Sequence, residues 1–395
     1  KPAVNDITIV RESIDARHKP DIRLVYTADF DSDTDLPLDM APTEVYRFPA
    51  PGRITGSRPV IAGFGPCGMF AALMLAEAGM RPLVIERGAP VDERIKDVER
   101  FWAEGMLDPE SNVQFGEGGA GAFSDGKLNT LVKDPGNRIH KVMEIFVEHG
   151  APKEILYANK PHIGTDILCN VMKSMRMKIL EMGGTVQFHT RMEQLLLDDY
   201  NGKVTGVKLR NLQTGQVHCV PAEVVVLAPG HSARETFYQL YRQKVPMESK
   251  SFAVGFRAEH KQEMINQSQY GEKYPKELGA AAYKLTAKIP GGRGVYTFCM
   301  CPGGYVVNAS SEEGMLAVNG MSYHDRAGQN ANSAVIVTVF PEDFEKKHPL
   351  AGIAFQRKLE KAAYEAGNGK IPVQRYGDFY EEVTGQKKEE EKTEE

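Results

Sequence analysis

Two stretches of this sequence place glycines where a backbone could come close to a ligand. In "PVIAGFGPCGMFAALMLAEAGMRPLVIER", Gly63, Gly65 and Gly68 have G-x-G-x-x-G spacing; the same spacing recurs at Gly116, Gly118 and Gly121 in "VQFGEGGAGAFSDGKLN". The motif alone is weak, and its context decides its use. Gly63 directly follows an apolar strand and Gly68 opens a helix. The first glycine can then make the tight turn, the second can admit a pyrophosphate, and the third can let helix and strand pack closely. Pro66 and Cys67 start that helix, whose free amides face an anion. Glu86 ends the next strand, about twenty residues on, where a carboxylate can accept hydrogen bonds from a ribose hydroxyl. Arg87 could meet the extra phosphate of NADP or be a solvated surface charge, and the acid at Glu86 favours FAD or NAD over NADP. The second run has no strand before it and no helix after it. Its dense glycines, Gly118, Gly119 and Gly121, with Ser124 and Lys127, suit a loop on which a flat ring and its pyrophosphate lie, or else a plain surface loop.

Other side chains offer chemistry with an ordinary alternative beside each. "AEVVVLAPGHSA" runs an apolar strand into Ala228, Pro229 and Gly230, a small-residue turn that can abut a cofactor or simply end a buried strand. His231 follows it as a hydrogen-bond donor or proton shuttle, or as a turn histidine. His162 in "KPHIGTD" could line the pocket, Lys127 could hold positive charge by the ring, and His324 and Arg326 could meet an anionic substrate. Cys299 and Cys301 form C-x-C in a strand, where alternate residues share a face. They read either as a redox pair or as ordinary buried cysteines. No metal set is visible, and no nucleophile elbow or phosphate-loop lysine motif.

The elements that must carry these residues follow from pattern. A strand over 59–62, a helix from about Cys67 to Ala78 capped by Gly79 and a strand over 82–86 make a βαβ unit. Amphipathic helices follow in "NRIHKVMEIFVEHG" and "TDILCNVMKSMRMKILEMGG", the second with Thr165 or Asp166 as N-cap. Short strands with hairpin joints then lead to a β-rich region from about Ser251 and a helix near Ala351–Gly367. The N-terminal part has one strand-like run from Ile22, and Pro49–Ser57 has the turn density of a linker. The 395 residues carry a net charge of -5, which draws the chain toward neither nucleic acid nor an acidic membrane surface. Five scattered cysteines, an odd number, suit reduced thiols in the cytoplasm. There is no apolar run of membrane-span length, no signal peptide and no initiator Met, so a processed or trimmed start is one reading. A small-molecule partner is the expectation, and oligomeric state is left open.

With "KPHIGTD", "APGHSARETF", "KSFAVGFRAEH", "FCMCPGGYVVNASSE", "NGMS" and "ANSAVIV", these motifs resemble the bacterial family of uncharacterised FAD-dependent dehydrogenases. More broadly, they resemble the two-dinucleotide-binding flavoproteins of the glutathione-reductase type. The match runs from about Arg11 to Phe344. The resemblance implies an α/β protein: a Rossmann-like FAD-binding domain (58–245) with an inserted β-rich α+β substrate or cap domain (246–383). A small N-terminal α+β element (1–50) precedes a linker (51–57), and a disordered charged tail (384–395) closes the chain. It implies non-covalent FAD and an FAD-dependent oxidoreductase, a dehydrogenase passing hydride between flavin and an unknown small molecule, with NAD(P)H as a transient reductant. The alternatives are a non-catalytic FAD- or NAD-binding or regulatory protein, a single-cofactor NAD dehydrogenase, or a flavoprotein inactive through truncation. The last arises because nothing after Phe344 has the late glycine-rich strand-turn-helix of the family, so the chain reads as shortened relative to it.

Overall fold

The computed structural model describes residues 4–42, 45–48, 56–130 and 132–386. Of the expected linker, residues 49–55 lie outside these, as does the tail from 387 onward. Four short strands, Thr185–Gln187, Leu83–Ile85, Val60–Ala62 and Val225–Leu227, lie side by side in that order, all parallel. The two central strands are apolar at every position, as burial on both faces requires. Ile61 and Val84 point to one face, against Met69 and Leu73 of the helix Pro66–Glu77 and Val171, Met175 and Ile179 of the helix Thr165–Glu181. Their neighbours Val60, Ala62, Leu83 and Ile85 point to the other face, because strand side chains alternate. There they meet an antiparallel sheet of Thr190–Leu197, Val204–Asn211 and Val217–Pro221, through Met192, Leu195, Val207 and Leu209, and Leu240 of the helix Arg234–Arg242. The result is a three-layer α/β arrangement.

Pro66 sits in the first helical turn, where its fixed φ suits the helix and no amide bond is lost. Gly79, at φ +76°, takes the left-handed position past the helix end. The N-cap of Thr165–Glu181 is Gly164, one residue earlier than expected. Thr165 instead turns its hydroxyl to the Ala122 carbonyl, and Asp166 accepts the His324 amide at 2.9 Å. The β-rich region forms an antiparallel sheet in the order Phe252–Lys261, Asn330–Val339, Gly294–Cys301, Thr286–Lys288, beside the hairpin Tyr305–Asn308 and Val318–Met321. The run from Ile22 is the strand Arg23–Ser32. It pairs with Val4–Asp15, a second strand that pattern did not reveal. Helices at Val91–Glu104, Gln262–Tyr270 and Tyr376–Thr384 were likewise not anticipated; the last carries regular structure into residue 384, where a disordered tail was expected.

Candidate functional site

At the carboxyl edge of the parallel sheet, Gly63 turns out of its strand at φ +108°, and a Cβ there would stand 2.0 Å from the Ala228 carbonyl oxygen. Only glycine lets the Ala228–Gly230 turn come so near. Gly68 is equally constrained, with its would-be Cβ 1.9 Å from the Gly63 carbonyl oxygen, so helix and strand pack as closely as its position implied. Gly65 differs: it has an ordinary extended conformation, φ −74°, and a Cβ would only touch Gly119 at 3.6 Å. What fills the space before Gly65 is therefore not enforced by the fold of its own loop.

The second glycine run seats on the first. Gly119–Phe123 forms a 3-10 turn, the Gly118 amide donates to the Phe64 carbonyl at 2.9 Å, and a Cβ on Gly119 would lie 2.9 Å from the Gly65 Cα. Glu86 joins the two runs. Its carboxylate, nearly excluded from solvent, accepts the amides of Phe64 at 2.8 Å and of Gly88 and Gly116 at 2.9 Å. A carboxylate has about four acceptor positions, so three bonds to the backbone leave one for a ribose hydroxyl. Arg94, from the helix Val91–Glu104, is fully buried beneath the second run. It donates to the carbonyls of Asn112 (2.9 Å), Val113 (3.0 Å), Glu117 (2.6 Å) and Gly119 (2.9 Å). Burial pushes its pKa down to about 10, which still leaves it charged at neutral pH. The Glu117 carboxylate, also fully buried, accepts the Val91 amide and the Arg176 guanidinium, each at 2.8 Å; its pKa is raised by burial against those partners.

Between the runs and the Ala228–Ala233 turn lies a crevice of about 400 Å³, of the size that takes small ligands. Of the residues singled out in the sequence, it is lined by Gly63, Gly65, Pro66, Cys67, Glu86, Arg87, Gly119, Gly121, Ala228, Pro229, Gly230 and His231. Gly68 packs behind it. Gly118 faces Ala122 and Met172, and Ser124 braces the turn by donating to the Gly121 carbonyl at 2.8 Å and accepting the Gly126 amide at 3.1 Å. The Arg87 guanidinium lies over the Phe115 ring at 4.0 Å and pairs with Glu110 at 2.6 Å and Glu235 at 2.5 Å, so it is neither solvated nor free for a phosphate. The His231 ring reaches solvent within the crevice but is crowded elsewhere. That desolvation, with Arg234 nearby, holds its pKa below the ordinary imidazole range. Ser232 Oγ lies 3.2 Å from its Nε2.

The remaining candidates collect elsewhere. Lys127 pairs with Asp125 at 3.1 Å and approaches the Cys301 sulfur at 3.9 Å, while Arg326 grips both oxygens of Asp125, at 2.5 and 3.2 Å. The His162 ring stacks on that of His324, and its Nε2 lies 2.9 Å from the His324 carbonyl oxygen, so His162 faces this second group rather than the crevice. Burial lowers its pKa. Sequence reasoning missed Arg94, which reads as a solvated arginine on an amphipathic helix. It also missed Thr190, Arg191 and Met192 on the crevice wall. The last three could have been found from the rule that ligands sit beyond the carboxyl ends of parallel strands, because they follow Thr185–Gln187.

Among the described residues no helix is long and apolar enough to cross a membrane, and no group of three or more His, Cys, Asp or Glu is placed to hold a metal ion. The crevice suits a dinucleotide on the chain's own geometry: a glycine cradle that a side chain at Gly65 would fill, a helix N-terminus behind it, and a carboxylate with one acceptor position to spare. Residues 251–395 match the family model described as the C-terminal domain of an FAD-dependent protein. An uncharacterised protein of Clostridium beijerinckii is 46% identical over 397 residues, covering 96% of this chain and 72% of that protein. Among solved structures, the chain is similar to the Bacillus halodurans glycerol-3-phosphate dehydrogenase complexed with FAD, at 13% identity and TM-score 0.35 over 80% of this chain and 54% of that one. A myxobacterial FAD-dependent chondrochloren halogenase gives 13% identity and TM-score 0.38 over 81% and 64%. The chain spans less than two thirds of either structure, and such distant likenesses carry no argument about activity. The chain carries the C-terminal domain of FAD-dependent proteins, its cofactor is FAD, and it belongs to the same family as the Clostridium beijerinckii protein.

Proposed function

We propose that the chain is an oxidoreductase in which hydride passes between flavin held in this crevice and a small molecule, with a reduced nicotinamide as transient donor. One observation carries the reading: two glycine runs meet, Gly65 against Gly119, and wall a crevice that also presents a titratable side chain, His231. When bound, FAD supplies the electron transfer, and the protein binds, orients and moves protons. The first-turn amides of the helix Pro66–Glu77 and the open backbone at Gly65 would hold its pyrophosphate. The free acceptor position of Glu86 takes a ribose hydroxyl. Gly119, Ala120 and Gly121, which line the crevice, would lie against the bound cofactor. With its lowered pKa, His231 is mostly neutral at physiological pH and can accept a proton from substrate. The β-rich region from 246 onward is proposed as the substrate-facing part.

The deciding experiment is the visible spectrum of the purified chain, followed by anaerobic mixing with NADH and NADPH. Flavin bands that bleach with a hydride donor and return with an added acceptor support the reading. Bound flavin that no hydride donor bleaches would favour a protein that holds FAD without turnover. A colourless chain that takes up no added FAD would overturn both. His231→Gln should keep its flavin and lose about a hundredfold in the rate of substrate oxidation or reduction, the scale of one acid-base group.

A further inference from the structure

Away from the crevice, the strand Gly294–Cys301 loses its register with Asn330–Val339 between Phe298 and Cys301, and Cys299 sits at φ +47°. A non-glycine residue in that region is uncommon, and such strain is stored where surrounding structure over-determines it. The bulge matters for the two cysteines. Along a regular strand, residues i and i+2 are about 6.6 Å apart, near the outer limit of Cα separation for a disulfide. A bulge that begins at Cys299, itself in the left-handed region, bends the strand there and re-aims its side chains.

The surroundings are polar and constrained. Cys301 is fully buried, and Cys299 is half-buried and reachable. Arg257 donates to the Cys299 carbonyl at 2.6 Å and to the Cys301 sulfur at 3.6 Å, and its Nε holds the Asn332 side-chain oxygen at 2.8 Å. Lys127 lies 3.9 Å from the Cys301 sulfur. The side-chain nitrogen of Asn332, paired across the sheet with Cys301, is buried with no hydrogen-bond partner, unusual for a group whose orphaning costs about 1–3 kcal/mol. Both cations reach the Cys301 sulfur, and the carboxylate beside them, Asp125, is held by Lys127 and Arg326. Positive charge at the pair favours a thiolate within it, and Cys299, the less buried of the two, is the sulfur a disulfide can reach. The Cys301 thiol donates to the Cys299 carbonyl at 3.4 Å, and the interaction of the two thiols with each other holds Cys299 below the ordinary thiol range and raises Cys301.

We propose that Cys299 and Cys301 are a dithiol site that exchanges with small-molecule disulfides, Cys299 attacking and Cys301 resolving. The Cys299 thiolate attacks one sulfur of a disulfide RSSR, forming a Cys299–SR mixed disulfide and expelling RS⁻. The Cys301 thiol passes its proton to RS⁻, and its sulfur then attacks the Cys299 sulfur, expelling the second RS⁻. The protein pair is oxidised by two electrons to an internal disulfide, and RSSR is reduced to two thiols. The site does not depend on the hydride reading.

The full chain, as purified and reduced, is incubated with glutathione disulfide, quenched in acid, alkylated and mapped by peptide mass. Cys219, exposed and away from the crevice, serves as the internal reference. The expected result is an internal disulfide within the peptide carrying both residues, a stable glutathione adduct on Cys299 in Cys301→Ser, and no modification of Cys301 in Cys299→Ser. Iodoacetamide should label Cys299 at pH 7 about tenfold faster in the folded chain than in the urea-unfolded chain, where an ordinary thiol is only a few per cent ionised. The proposal is overturned if, in the wild-type chain, both thiols stay alkylatable while Cys219 reacts, or if a glutathione adduct on Cys299 persists unresolved. The wild-type mapping decides the matter even if a variant fails to fold.

Discussion

The glycines of the first run look alike in sequence and do different work, which mutation should separate. At Gly68 an added methyl meets the Gly63 carbonyl oxygen at 1.9 Å, and backbone cannot swing away as a flexible side chain can. Gly68→Ala should cost about 3 kcal/mol of stability, the upper end of overpacking penalties, read as a lower urea midpoint with or without flavin. Gly65 has no such obstacle, since its φ suits any residue and a Cβ makes an ordinary contact with Gly119. Gly65→Glu should therefore leave the urea midpoint of the flavin-free chain nearly unchanged, yet place a carboxylate against the pyrophosphate. Flavin affinity should fall at least a hundredfold, which corresponds to about 3 kcal/mol. Unchanged flavin content in the purified variant would remove the pyrophosphate from this loop. Glu86→Gln would turn one acceptor oxygen into a donor facing backbone amides, so it should weaken flavin binding and the fold together.

At the scale of elements, the second glycine run has no strand before it and no helix directly after it, and its shape comes from a different part of the chain. Three of its carbonyls, with that of Asn112 just before it, converge on one guanidinium, Arg94, which leaves the opposite edge of the loop free to face the crevice. Arg94→Met fills the volume but orphans buried carbonyls at about 1–3 kcal/mol each. It should lose both stability and flavin, whereas Arg94→Lys keeps the charge and only part of the fork and should recover a minority of each. Equal flavin affinity in the Met variant, measured by fluorescence titration, would show that the loop holds its shape without Arg94. This division marks how far pattern reaches. The βαβ unit was legible because a glycine stop, a Pro start and apolar strands all point to one local geometry. The role of Arg94 was not, because hydrophobic period places it on a helix without saying what packs over it. The bulge at Cys299 was hidden for a like reason: C-x-C alternation predicts a flat strand, and only the pairing partner shows the slip in register.

Across the whole molecule, the glycine-rich segment and the β-rich region are joined by charge. Asp125, at the end of the second run, meets Arg326 from the loop after the hairpin Tyr305–Asn308 and Val318–Met321, and is flanked by Lys127. Residues two hundred positions apart leave no mark on each other in a single sequence, so His324 and Arg326 could be picked out as possible anion contacts but not as this tie. Burial alone would raise the Asp125 pKa, yet the attraction and hydrogen bonds of Arg326 and Lys127 outweigh it, and the folded value lies below the ordinary carboxylate range. The sign of the pH dependence follows. The unfolded chain takes up the proton near pH 3.9 while the folded chain resists it, so the stabilisation is complete above about that pH and is lost as pH falls through the lower folded value. Asp125→Asn leaves two cations facing a neutral amide in a largely buried place and should cost about 3 kcal/mol at pH 7, the scale of breaking a buried pair. Urea midpoints of wild type and variant should then draw together as pH is lowered from about 5 toward 3, since the wild type loses what the variant never had. A gap that stays constant over that range would mean the aspartate acts by shape rather than charge, and the tie between the two regions would have to be sought in the apolar contacts around it.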